Sequence, residues 1–105
     1  MEKLTYEFQG GTFSRPKNEA KLVGVVGSGN LEVLIEPADL QGRCVVEVLT
    51  AARGFGAIWQ AVIADFFARY PLADARVSIN DVGATPAVVS LRLDQAAEDF
   101  LGDAQ

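Results

Sequence analysis

Apolar and polar positions alternate, cluster and then change period along this chain, and each change marks an element. Residues 4–8 set Leu4, Tyr6 and Phe8 against Thr5 and Glu7, the period-two pattern of a half-buried strand. Gln9 to Lys21 is polar, with Gly10, Gly11 and Pro16, and reads as a loop. Residues 22–26 form a short apolar run, Leu22-Val23-Gly24-Val25-Val26, which predicts a second strand. Residues 31–36 alternate around Leu31, Val33 and Ile35 until Pro37 ends them. Arg43 to Thr50 is rich in valine and reads as a further strand. Arg53-Gly54-Phe55-Gly56 breaks the pattern, and from Ala57 the period lengthens. Ile58, Val62 and Phe66, with Trp59, Ile63 and Tyr70, fall along one side of a helix that Pro71 stops. Residues 75–80 alternate Ala75, Val77 and Ile79 against Arg76, Ser78 and Asn80, a last strand. The segment from Asp81 to Pro86 then turns into a second helix, with Thr85 as N-cap and Pro86 in the first helical position. Val89, Leu93, Ala96, Ala97 and Phe100 recur along it at helical spacing.

Four strands, a helix, a strand and a helix make no regular strand–helix alternation. The order predicts an α+β fold in two layers, a mostly antiparallel β-sheet covered on one face by two helices. With 105 residues the chain reads as one domain spanning 1–105. That length buries roughly two-thirds of the unfolded surface, enough for a core without staples. No run approaches the roughly 18 apolar residues of a membrane span. The N-terminus lacks the basic and apolar regions of a signal peptide. A single cysteine makes no internal disulfide. The expectation is a cytoplasmic protein with no membrane partner.

Charge and missing residues narrow the chemistry. Fourteen acidic against nine basic residues give a net charge of −5, which argues against unaided nucleic-acid binding. It permits docking on basic partner surfaces, and equally serves solubility alone. The chain has no histidine, so Ser-His-Asp and Cys-His catalysis fall away. One cysteine without histidine argues against a zinc site, and no metal is expected. Cys44, in a valine-rich strand, reads as buried and inert. Trp59, Phe66, Phe67 and Tyr70 read as core at helical spacing, with a ligand pocket as the alternative. Glu32, Glu36 and Glu47 occupy alternate strand positions that are usually solvated, and otherwise would be paired acids. The loop from Asp81 to Pro86 reads as a helix cap, or as a docking surface.

One serine stands out. Gly27-Ser28-Gly29-Asn30 lies between the runs 22–26 and 31–36, so Ser28 is read at a tight turn between two strands. The glycine spacing Gly24-x-x-Gly27-x-Gly29 is the reverse of a dinucleotide fingerprint, and a strand follows where that fingerprint needs a helix. No Gly-Lys-Ser/Thr is present for a P-loop. A nucleophile elbow needs a helix after the serine and a histidine elsewhere, and both are missing. Two readings remain open: a plain hairpin turn, or a point of covalent attachment. Attachment asks only for an exposed hydroxyl with flanks, Gly27 and Gly29, that carry no side chains.

The segment Val23-Gly24-Val25-Val26-Gly27-Ser28-Gly29-Asn30-Leu31-Glu32-Val33-Leu34 resembles the acyl carrier protein (delta) subunit of biotin-independent malonate decarboxylase. The likeness continues through Trp59 and Phe66-Phe67 to Asn80-Asp81-Val82-Gly83-Ala84-Thr85-Pro86-Ala87-Val88-Val89-x-Leu91-Arg92-Leu93, and covers about Leu22 to Phe100. It implies that Ser28 carries 2'-(5''-triphosphoribosyl)-3'-dephospho-coenzyme A through a phosphodiester bond, and that the thiol of this group holds acetyl and then malonyl. It implies a non-catalytic carrier whose partners are an acetyl-CoA/malonate transferase subunit, decarboxylase subunits, and the holo-protein transferase and malonyltransferase. Asn30 stands where the family pattern is expected to carry Asp. A citrate-lyase-like acyl carrier and an unmodified adaptor protein are the competing functions.

Overall fold

A computed structural model of the chain describes residues 1–12 and 30–101. The strand predicted at 22–26 lies outside these residues. Among the described residues the chain forms β1 (Glu2–Phe8), β2 (Leu31–Pro37), β3 (Cys44–Thr50), α1 (Gly56–Arg69), β4 (Ala75–Asp81) and α2 (Pro86–Leu101). The strands make one sheet in the order β1-β3-β4-β2. β1 pairs antiparallel with β3 and β2 antiparallel with β4, as predicted for most of the sheet. The central pair β3–β4 is parallel, because α1 carries the chain back along the sheet between them.

The period-two alternation sorts each strand's side chains onto two faces. In register, Leu4–Val48–Ile79–Val33 and Tyr6–Val46–Val77–Ile35 run as rows across all four strands on the inner face. Both helices cover that face. Trp59, Ile63 and Phe66 of α1, and Val89, Leu93, Ala96, Ala97, Phe100 and Leu101 of α2, are buried against it. α1 lies toward β1, where Phe67 stacks on Phe8 with ring centroids 4.7 Å apart, and α2 lies toward β2. One residue of the predicted α1 face departs from it: Ile58 is 48% exposed. The outer face of the sheet is largely polar. Glu47 there lies 3.9 Å from Lys3 and 3.4 Å from Arg76.

The end of the sheet where β4 begins is fastened by backbone contacts. β2 and β3 are not neighbours, so the connection after Pro37 must cross the start of β4. Asp74 receives it. Its Oδ1 accepts from the backbone N–H groups of Leu40 (3.1 Å) and Gly42 (2.8 Å), and its carbonyl accepts from Ala38 (3.0 Å). Nearby, Thr12 N–H donates to the Pro71 carbonyl at 2.8 Å. Gly11 is held so close to Leu72 that a Cβ would lie 2.1 Å from its carbonyl oxygen, so only glycine fits.

Candidate functional site

The opposite end of the sheet holds the chemistry. Thr50 and Asp81 are the last residues of β3 and β4, paired in register at inward-facing positions, and both are buried. A buried carboxylate needs partners for its lone pairs. The Thr50 hydroxyl donates to Asp81 Oδ2 at 2.8 Å. Asp81 Oδ1 accepts from the N–H groups of Gly83 (3.2 Å) and Ala84 (2.8 Å), which folds the chain tightly around it. Gly83 sits at φ 119°, a conformation that side chains beyond glycine rarely adopt. Thr85 then caps α2. Its Oγ1 accepts from Val88 N–H at 3.4 Å, and Pro86 opens the helix as predicted. The segment from Asp81 to Pro86 is therefore a helix cap, as read from the sequence, and also one wall of a groove.

The predicted attachment residues Gly27, Ser28 and Gly29 lie outside the described residues. Asn30, next in the chain, is exposed, and its carbonyl accepts from Val82 N–H at 2.9 Å. Leu31 pairs with Asp81 in the sheet. The two segments that carry the sequence likeness thus meet, through Asn30 and Val82, at the carboxyl ends of β3 and β4.

Between the starts of α1 and α2 a groove of about 280 Å³ opens at this same end. Phe55, Ile58, Trp59, Ala84, Pro86 and Val89 give it apolar walls, and among the described residues Asp81 is the one charged group that lines it. Phe55 (46% exposed), Ile58 and Val82 (54%) leave apolar surface open to water beside it. Among the described residues no lysine or arginine lines it. The arrangement can hold a small uncharged group. It has no free acid or base to offer, since both oxygens of Asp81 are already engaged.

The other sequence candidates fall elsewhere. Cys44 is buried at the far end of β3, and burial pushes its thiol up to about 12, so it is inert as expected. Trp59 and Phe66 are buried in the core, and Phe67 and Tyr70 are half-buried against it. Tyr70 donates to Glu98 at 2.6 Å, joining the end of α1 to α2. Glu32, Glu36 and Glu47 lie on the outer face, Glu47 on a strand separated from the other two by β4, and form no acid pair. Among the described residues no three histidine, cysteine, aspartate or glutamate side chains come together as a metal site, and no helix is long and apolar enough to cross a membrane. Sequence reasoning missed the Thr50–Asp81 contact and the groove. The available signal was two polar residues interrupting the inward period of neighbouring strands, and Phe55 set between two glycines.

Comparison with known proteins supplies the context. The family described as malonate decarboxylase delta subunit (MdcD) matches residues 18–100. A protein of Stenotrophomonas maltophilia named malonate decarboxylase acyl carrier protein is 62% identical over 102 residues, covering 97% of this chain and 96% of its own. A protein of the same name from Xanthomonas euvesicatoria is 65% identical over 102 residues, covering 97% of each. A chain in the crystal structure of a Pseudomonas malonate decarboxylase hetero-tetramer in complex with malonate is 42% identical, with a TM-score of 0.75. That likeness covers 97% of this chain and all of the other.

Proposed function

We propose a function from one premise: this chain belongs to the malonate decarboxylase delta subunit family. It is the acyl carrier subunit of a cytoplasmic, biotin-independent malonate decarboxylase, and it performs no bond-breaking step of its own. Ser28 is its attachment residue, with Gly27 and Gly29 leaving room for the modifying enzyme. The attached group is 2'-(5''-triphosphoribosyl)-3'-dephospho-coenzyme A in a phosphodiester link, and when bound it supplies a thiol for thioester formation. The partners are the transferase and decarboxylase subunits, together with the holo-protein transferase and malonyltransferase that install and charge the group.

One observation carries the reading. The segment that follows Ser28 is bonded, through the Asn30 carbonyl, to the Asp81–Pro86 turn that holds the second half of the likeness. The residues around that junction suit a tethered thioester: an exposed Asn30, open apolar surface and a groove of about 280 Å³. Losing carbon dioxide from a malonyl thioester leaves enolate-like charge that oriented donors must stabilise, with an acid to protonate the carbon. The described groove has no free acid for that protonation, its Asp81 being engaged at both oxygens, so that step belongs to a partner. The carrier contributes proximity, making each transfer effectively intramolecular.

Intact mass of the protein taken from cells growing on malonate tests this. The expected result is added mass on the Ser28 peptide, and none on a Ser28→Ala variant that folds normally. A bare Ser28 in such cells would leave only an adaptor; label retained by Ser28→Ala would move the site.

A further inference from the structure

The two walls of the groove between α1 and α2 come from stretches of chain without charge. Residues 54–64 and 82–91 hold no Asp, Glu, Lys or Arg, although such residues make up 22% of the protein, so the gap belongs to this end and not to the composition. The same stretches leave large apolar side chains in water: Phe55, Ile58, Val82 and Leu91 are all exposed. Leu91 belongs with the others. Asp94 and Glu98, further along the same side of α2, reach Arg69 and Tyr70, so Leu91 lies on the flank of α2 that faces α1. On α1 the exposed positions between Ile58 and Asp65 are Gln60, Ala61 and Ala64, so its surface there is neutral too. Asp81 is buried with both oxygens engaged, and brings no open charge to the groove.

We propose that this face seats the carrier in its complex, the groove receiving apolar side chains that project from an uncharged face of another decarboxylase subunit. The inference rests on the carrier reading above, which supplies such subunits as standing partners. Depletion of charge together with aromatic residues is the composition of an interface core, not of a solvated rim. A concave apolar site of about 280 Å³ takes one or two projecting side chains, the form in which interfaces are anchored. Two other occupants suit the face less well. A second copy brings one body of net charge −5 against another, and the repulsion opposes their approach. An arm that travels between partners leaves Phe55, Ile58, Val82 and Leu91 in water for much of its cycle, whereas a subunit covers them throughout.

Exposed positions test the face without opening the core. Full-length protein is titrated with the purified remaining subunits of the decarboxylase, and Kd is measured by calorimetry for wild type, Ile58→Glu, Leu91→Glu and Thr5→Lys. Thr5 is an exposed control on the outer face of the sheet. Ile58→Glu and Leu91→Glu are each expected to weaken assembly by about tenfold or more, and Thr5→Lys by less than about twofold. Urea unfolding followed by Trp59, the chain's single tryptophan, checks that each variant folds. Hydrogen exchange of the wild type needs no variant: peptides from 54–64 and 82–91 are expected to gain protection in the complex over the free protein. Wild-type affinity in both glutamate variants, an equal loss in Thr5→Lys, or protection confined to other segments overturns the inference and leaves the carrier reading standing. Protection that grows with the concentration of the free protein and is lost in Ile58→Glu overturns it in favour of a second copy. Protection that a loaded arm gives without any partner overturns it in favour of the arm. A wild type that binds none of the subunits overturns the carrier reading with it.

Discussion

Asp81 is a carboxylate where the alternation of β4 calls for an apolar side chain, and its cost is offset by three hydrogen bonds. Two come from the turn that follows it and one from Thr50 on the neighbouring strand. It therefore sets the shape of the Asp81–Thr85 turn and the spacing of the two strand ends. Removing the acceptor leaves the Gly83 and Ala84 N–H groups without their partner, and the Thr50 hydroxyl with only its contacts to Ala52. Asp81→Ala is expected to lose about 2–4 kcal/mol of stability in urea unfolding, since bonds to charged groups are worth more than neutral ones. Asp81→Asn keeps an acceptor for Gly83 and Ala84, and its amide reaches the Thr50 oxygen, so a loss of about 1 kcal/mol is expected. Equal losses in the two variants would assign the effect to charge and not to acceptor geometry.

At the level of elements, α2 is positioned by its first turn. Thr85 Oγ1 accepts from Val88 N–H at the long distance of 3.4 Å, so the cap sits at the weak end of its range. Thr85→Ala is expected to cost about 0.5–1 kcal/mol and Thr85→Ser nearly nothing, measured by urea unfolding at constant slope. This cap was legible in the sequence because its chemistry is local: Thr85, then Pro86, then apolar residues at helical spacing. The strands from 31 onward and the buried face of α2 were legible for the same reason, period alone deciding which side chains turn inward. The parallel β3–β4 pairing was not, because strand order depends on how α1 returns across the sheet. Ile58 was misplaced because it borders the groove between the two helix starts, where no packed neighbour supplies the cover that its periodicity assumes. The groove was invisible for a related reason. It is made by residues about thirty apart, Phe55 and Ile58 on one side and Ala84 and Pro86 on the other, and only the strand register brings them together.

The molecule as a whole has two unlike ends. At one, β2 enters, β3 and β4 finish and both helices begin, so polar turns and open apolar surface are concentrated there. At the other, Asp74 and the close approach of Gly11 to Leu72 fasten the connections. Two groups near the fastened end make global stability sensitive to alkali. Burial pushes the Cys44 thiol from 9.0 up to about 12. The hydrogen bond to Glu98, and then partial burial, push the Tyr70 phenol from 10.0 up to about 12. Unfolded protein loses each proton at the lower value while folded protein retains it, so the folded state binds more protons in between. Stability is then full below pH 9 and falls as pH rises toward 12. Cys44 contributes a slope of about 1.4 kcal/mol per pH unit once its unfolded thiol is ionised. Tyr70 is only half-buried and adds a shallower slope beginning a unit higher. Urea unfolding from pH 7 to pH 10.5 at fixed salt measures both. Cys44→Ala is expected to flatten the decline that begins near pH 9, and Tyr70→Phe only the part above pH 10. An unchanged profile in Cys44→Ala would mean that the core opens to hydroxide before the chain unfolds.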